Sequence, residues 1–317
     1  MRLLHRFSLA TLLALATVFA LATAPAGAQA GGLLPGAASA PDDAAPAQLE
    51  SVSLMHVDGT ITIEADGRVG DVVFTTSFDE TLRSALSAKM RAWKFKPVLV
   101  GAQPRRVQTP FRVMLAATQV DGKYRVRIDD TRFGGEQTAA NVASSVVPDG
   151  TAPPILAKRM APPQYPINQL RAGRIGSVHL VLRIAPDGRI ADVVATQSVV
   201  FEIDGKDGDD GVRRSLRAFE ANAIAAARHW TFIVPPGAAS RSASEMTGAT
   251  DVDYVIRYDT GVAGQWVPVR RAPRRPVAWL PPEDQEGGGV GMAAAGQVAG
   301  VGSAYELATP VRDAVVM

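Results

Sequence analysis

Apolar and polar positions alternate from Gly59 onward: Ile61 and Ile63 fall on one side, Thr60, Thr62 and Glu64 on the other. Asp66-Gly67 interrupts the run, and Val69 to Thr75 continues it, which predicts a β-hairpin closed by an Asp-Gly turn. The period then lengthens. Ser77 with Glu80 reads as a capping box, and Leu82, Leu86, Met90 and Trp93 recur at helical spacing until Pro97 ends the pattern. Alternation returns in "VQTPFRVML", with Val107, Thr109, Phe111, Val113 and Leu115 on one face. A second Asp-Gly turn leads to another alternating run, Tyr124 to Ile128, placed to fold back over the closing strand. Strand, strand, helix, strand is the predicted order, with the helix laid over one face of the sheet.

The same order recurs. "DGRVGDVV" at Asp66 returns as "DGRIADVV" at Asp187, an offset of 121 positions that suits a repeated domain. Before the second turn, Val178, Leu180, Leu182 and Ile184 alternate; after it, Ile190 to Thr196 forms the return strand. Leu216, Phe219, Ala223, Ala226 and Trp230 make a helical stripe, and "DVDYVIRYD" reads as the closing strand. The phrase W-x-F is duplicated as well, at Trp93-Phe95 and Trp230-Phe232. The expected fold class is therefore α+β, as two tandem small antiparallel sheets, each with a helix packed on one face.

Composition sets the boundaries. Arg2, His5 and Arg6 precede the apolar run Leu9–Ala24, and "AGAQA" ends in an A-x-A site at Ala30. Residues 1–30 thus read as a secretory signal peptide, since this run of about sixteen residues falls short of the about twenty a spanning helix needs. An uncleaved inner-membrane anchor is the alternative, separated from it by whether the mature N-terminus is Gly31 or Met1. Residues 31–50 form a linker, 51–130 a first domain, 131–152 a second linker and 153–260 a second domain. Residues 261–317, with "VRRAPRRP" and "EGGGVGMAAAGQVAGVG", are expected to be a disordered tail. Loss of Arg2 and Arg6 takes 33 basic residues to 31, equal to the 31 acidic ones. That balance argues against a nucleic-acid partner. No Cys is present, which excludes disulfides and thiolate chemistry.

The second copy is preceded by "PPQYPINQLRAGRIGSVHLVLRIAPDGRIADVV". A Tyr-Pro pair opening a short helix, a Gly leading into an alternating strand, a D-G-R turn and a helix ending in W-x-F together resemble the TonB C-terminal domain family. The residues that carry the match are Gln164, Tyr165, Pro166, Gly176, Asp187, Gly188, Trp230 and Phe232. The first copy is similar from its hairpin onward and lacks the Tyr-Pro segment, so it looks like a truncated repeat. What the resemblance implies is a periplasmic, non-catalytic module that binds an extended partner segment by β-strand addition. The partner implied is a protein, such as a TonB-dependent outer-membrane transporter, with membrane contact only indirect unless the N-terminal helix is retained. The implied contact residues are Val252, Asp253, Tyr254, Val255, Ile256, Arg257 and Tyr258 on the closing strand, with Gln164, Tyr165 and Pro166 beside it. Val252, Tyr254 and Ile256 are expected to face the helix, and Asp251, Asp253 and Arg257 water. A membrane-anchored energy transducer for outer-membrane transport is the alternative. Ser8 and His5 do not supply the Ser and His spaced along the helix that such a motor connection uses.

Other chemistry is sparse. Trp93 and Trp230 sit on apolar stripes, which favours core packing over ligand stacking. His56, His179 and His229 are far apart in sequence, and no catalytic or metal-ligating set is expected, nor any cofactor. His179 falls on the Ser177–Arg183 face of its strand, opposite the apolar residues, and reads as a solvated or second-face His. "DGKDGDDG" fails as an EF-hand, because Gly211 and Ala218 stand where the loop needs ligands. "QWVPV", Gln265 to Val269, is a rival that would fold onto the closing strand, and Pro268 makes it a poor one.

Overall fold

The computed structural model describes residues 48–134, 149, 155–201, 208–234, 246–256, 263–280, 298–300, 305–311 and 315–317. The predicted signal peptide, most of both linkers, Arg257, Tyr258 and residues 204–207 of "DGKDGDDG" lie outside them. No helix among the described residues is long and apolar enough to cross a membrane.

The first copy forms as its pattern predicts. Strands β1 (Glu50–Ile63) and β2 (Val69–Phe74) make the hairpin, and α1 (Glu80–Arg91) follows. The cap of α1 is Asp79, whose carboxylate accepts from the Leu82 N–H at 2.9 Å; Ser77 lies too early to serve. A small ribbon, β3 (Leu99–Val100) with β4 (Gln103–Pro104), leads into β5 (Val107–Val120) and β6 (Lys123–Phe133). β5 lies antiparallel on β1, and β6 covers the other side of β5.

In the second copy, β7 (Leu156–Arg159) and α2 (Ile167–Arg171) precede β8 (Gly176–Ile184), β9 (Ile190–Phe201) and α3 (Asp209–Ala227). β10 (Thr231–Ile233) pairs with β7, and the closing strand β11 (Thr247–Tyr254) pairs with β8. Each copy thus places its closing strand against the first strand of its hairpin.

The turn and the helix end are joined identically in both copies. Gly67 and Gly188 both adopt φ of 82°. Their carbonyls accept from the Phe95 and Phe232 N–H groups, at 2.8 Å each. A Cβ on either glycine would collide with the carbonyl oxygen of that Phe. D-G-R and W-x-F are therefore two halves of one contact, which explains why they were duplicated together.

Two small sheets are not what results, and the fold class expected above is corrected. β12 (Val267–Arg271) pairs antiparallel with β1 over Glu50–Leu54 and with β9 over Val199–Phe201. It fuses the copies into one nine-stranded, all-antiparallel sheet of order β13-β11-β8-β9-β12-β1-β5-β6, with β2 also on β1 and β13 being Ala299–Gly300. The molecule is predominantly β. The segment expected to be a disordered tail supplies that junction, so the expectation is corrected for its described residues, whereas most of the Gly/Ala-rich run lies outside them. Pro268 is tolerated because it stands opposite Ser53 on β1, before the β9 pairing begins at Val269.

Two cores remain. α1 packs Leu82, Leu86, Met90 and Trp93 onto Val57, Ile61, Phe111, Val113 and Ile128. α3 packs Val212, Leu216, Phe219, Ala223 and Ala227, with Trp230, onto Val178, Leu180, Leu182, Val252 and Tyr254. The tail contributes to both, with Val311 in the first and Ala272 and Val298 in the second.

Candidate functional site

β11 stands next to the end of the sheet. On one side β8 pairs with all of Thr247–Tyr254; on the other β13 pairs only with Gly248 and Ala249. Among the described residues, no strand lies on the outer side of Asp251–Tyr254. By contrast, the equivalent strand of the first copy, β5, is flanked by β1 and β6 along most of its length. The first copy's edge is thus closed by the run Tyr124–Ile128, as its pattern predicts.

The expected contact residues divide into three groups. Val252 and Tyr254 point into the core under α3, and Asp253 is exposed. Val255 and Ile256 lie beyond the strand, which ends at Tyr254, and Ile256 is 48% exposed instead of facing the helix. Arg257 and Tyr258 fall outside the described residues. The usable edge is therefore earlier and shorter than the sequence suggested.

Tyr254 is fixed by its side chain and presents its backbone. Its ring stacks on Phe219 with centroids 4.5 Å apart, and its hydroxyl donates to Phe219 O and to Asn222 Oδ1 at 3.1 and 2.9 Å. Burial pushes its phenol above the ordinary range. Tyr165 lies edge-on to Tyr254 at 5.5 Å, and its hydroxyl approaches Arg174 O and, at 3.3 Å, Tyr254 O. Pro166 begins α2 and Gln164 is exposed. The Tyr-Pro segment therefore buttresses the end of β11, with Tyr165 as the contact and Gln164 beside it.

Asp251 does not simply face water, and of the two readings of His179 it is the second-face one that the structure shows. Asp251 Oδ1 meets His179 Nδ1 at 2.6 Å, and its Oδ2 accepts from Arg132 Nη1 at 2.8 Å. Arg132 belongs to β6, near the opposite end of the sheet from β11. The sheet therefore folds back until its polar faces meet. Burial opposes ionisation of Asp251, but Arg132 and then His179 overcome it and hold its carboxyl well below the usual range. Asp253, on the same face, is pushed up by protein crowding its carboxyl and by the charge of Asp251, with Ser177 opposing. A second such bridge joins Arg271 of β12 to Asp129 of β6 and Glu50 of β1, each at 2.8 Å.

None of these ion pairs was legible in the sequence, since Arg132 and Asp251 stand 119 positions apart. Neither was Gly248, although a glycine inside a strand marks a close approach. No group of three or more His, Cys, Asp or Glu that could hold a metal occurs among the described residues. No protein-family model, curated protein or solved structure matches the chain.

Proposed function

We propose that this chain is a periplasmic, TonB-like interaction module that captures an extended segment of a partner protein, such as an outer-membrane transporter, by strand addition to β11. The observation that carries the reading is the outer edge of Asp251–Tyr254, held rigid by β8, Phe219 and Tyr165 yet unpaired among the described residues. An edge of this kind offers main-chain donors and acceptors, so the partner is recognised chiefly through its backbone. Asp253 protects the edge against indiscriminate pairing, as charges on edge strands do, and favours partner segments that bring a basic residue opposite it. The sequence resemblance to TonB C-terminal domains points the same way.

Photo-crosslinking in the periplasm tests this. A benzophenone side chain at Asp253 should capture a short extended segment of one protein, while the same group at the exposed Tyr124 on β6 should not. Moving the probe from Asp253 to Val255 should move the captured residue by two positions, because strand pairing keeps register. Capture without register, or equal capture at Tyr124, would mean that β11 is not the docking edge.

A further inference from the structure

Among the described residues, two positions of β11 are paired on the outer side, and they are paired by this chain itself. Ala299 and Gly300 pair with Ala249 and Gly248, and Val298 turns its side chain into the core under α3 beside Ile155. Room for Val298 exists because residue 248 is glycine: a Cβ there would run into Val298 Cγ1 and stand 2.9 Å from Ile155 Cδ1. On the other face Ala249 packs with Val181, Val277 and Leu280, and the residue paired with it is itself an alanine, Ala299. Gly300 lies opposite Gly248. The edge therefore reads a definite sequence of sizes in the strand placed on it.

The same C-terminal segment reaches the other end of the sheet. Val316 N–H donates to Val126 O, and Val126 N–H to Met317 O, both at 2.8 Å, on the outer side of β6. Residues 298–300 and 316–317 thus touch the two terminal edges, and among the described residues they form a few main-chain bonds at each.

We propose that Val298–Gly300 is an internal occupant of the partner-binding edge, and that the edge selects extended segments in which a β-branched apolar residue is followed by two small ones. This rests on the strand-addition reading and deepens it by naming the partner's sequence chemistry and the step that admits it. A partner pairing along Gly248–Tyr254 makes more main-chain hydrogen bonds than the two-residue β13 gives up, so it displaces the tail. Until then, the tethered tail competes from an effective concentration of about millimolar, so weak or mismatched strands are excluded.

The test uses the full chain and a fluorescein-labelled peptide of sequence GQVAGVG, which copies residues 296–302, followed by anisotropy. Val298→Asp places a charge in an apolar pocket and evicts the tail. It should raise the peptide's affinity by about tenfold or more, as expected when a millimolar internal competitor is removed. Gly248→Ala should also free the tail, seen as faster amide exchange at Ala249, but should bind no more peptide, because the pocket for the valine is filled. Ala249→Cys with Ala299→Cys supplies the only thiols in the chain, on directly paired residues. Oxidised, this variant should bind no peptide, and reduction should restore binding.

Equal binding by the oxidised and reduced forms, or a pair that will not oxidise, overturns the internal-occupant proposal. If crosslinking at Asp253 still shows register in that case, strand addition itself stands. Absence of peptide binding in every variant overturns the proposed selectivity, and absence of both peptide binding and registered crosslinks overturns strand addition as well.

Discussion

Replacing each repeated tryptophan by phenylalanine should give two different results, although the residues occupy matched places. Both indoles are buried, Trp93 under α1 and Trp230 under α3. Trp230 Nε1 donates to Ala161 O at 2.7 Å. Ala161 precedes the Tyr-Pro segment, which the first copy lacks, and Trp93 Nε1 finds no acceptor among the described residues. Trp→Phe removes a similar volume in both copies, about 1–2 kcal/mol of packing and cavity cost. In the second copy it also removes a hydrogen bond, worth about 1 kcal/mol net. In the first it removes a buried, unpaired N–H, whose desolvation costs about 1–3 kcal/mol. Trp230→Phe should therefore destabilise by about 2–3 kcal/mol and Trp93→Phe by about zero. Equilibrium urea unfolding of the two variants, compared at equal m-value, measures the difference. Equal losses, or the larger loss at Trp93, would refute the account of how the truncated repeat differs from the complete one.

Gly67→Ala and Gly188→Ala should each cost at least about 2 kcal/mol, since a left-handed backbone strains any Cβ by about 1–3 kcal/mol and the Phe carbonyl stands in its way; thermal melts showing less than a few degrees of loss would sink the shared-contact account. Val269→Ala, in a strand paired with both β1 and β9, should lower the stability of the whole chain by about 2 kcal/mol in a single transition. Two separate transitions would indicate that β12 does not unite the copies. Asp251→Asn should flatten the acid limb of stability. The folded carboxyl titrates well below its unfolded value, so its contribution is full above about pH 4 and is lost as pH falls toward the folded value; an unchanged acid limb in Asp251→Asn would contradict the bridge to Arg132 and His179. Mass spectrometry of the exported protein should read Gly31 at its N-terminus, whereas Met1 would favour the membrane-anchored alternative.

The parts legible in the sequence are those that one stretch of chain can announce by itself. The hairpin, the helix stripe Leu82-Leu86-Met90-Trp93 and the turn at Gly67 all depend on residues within about forty positions of one another, and period and turn chemistry reveal them. β12 was concealed by its composition. "VRRAPRRP" reads as solvated, yet Arg271 is 3% exposed because Asp129 and Glu50 accept from its guanidinium, and neither carboxylate is near it in sequence. Val298 and Val311 each give a single side chain to a core that other segments build, so no period marks them. At the candidate site, the closing strand is legible in the sequence, but its end is not. "DVDYVIRYD" continues the alternation past Tyr254, where the chain has already left β8. Alternation records which side chains alternate and not where a neighbouring strand stops.

Amide-resolved hydrogen exchange of β11, with and without the partner segment captured at Asp253, tests strand addition most directly. In the free protein the N–H groups of Asp251–Tyr254 directed at β8 should exchange slowly and those directed outward quickly. On binding, the outward amides should become protected in alternation along the strand, while the inward ones stay as they were. Protection that appears elsewhere on the molecule, with the outward amides of β11 unchanged, would contradict the function proposed for this edge.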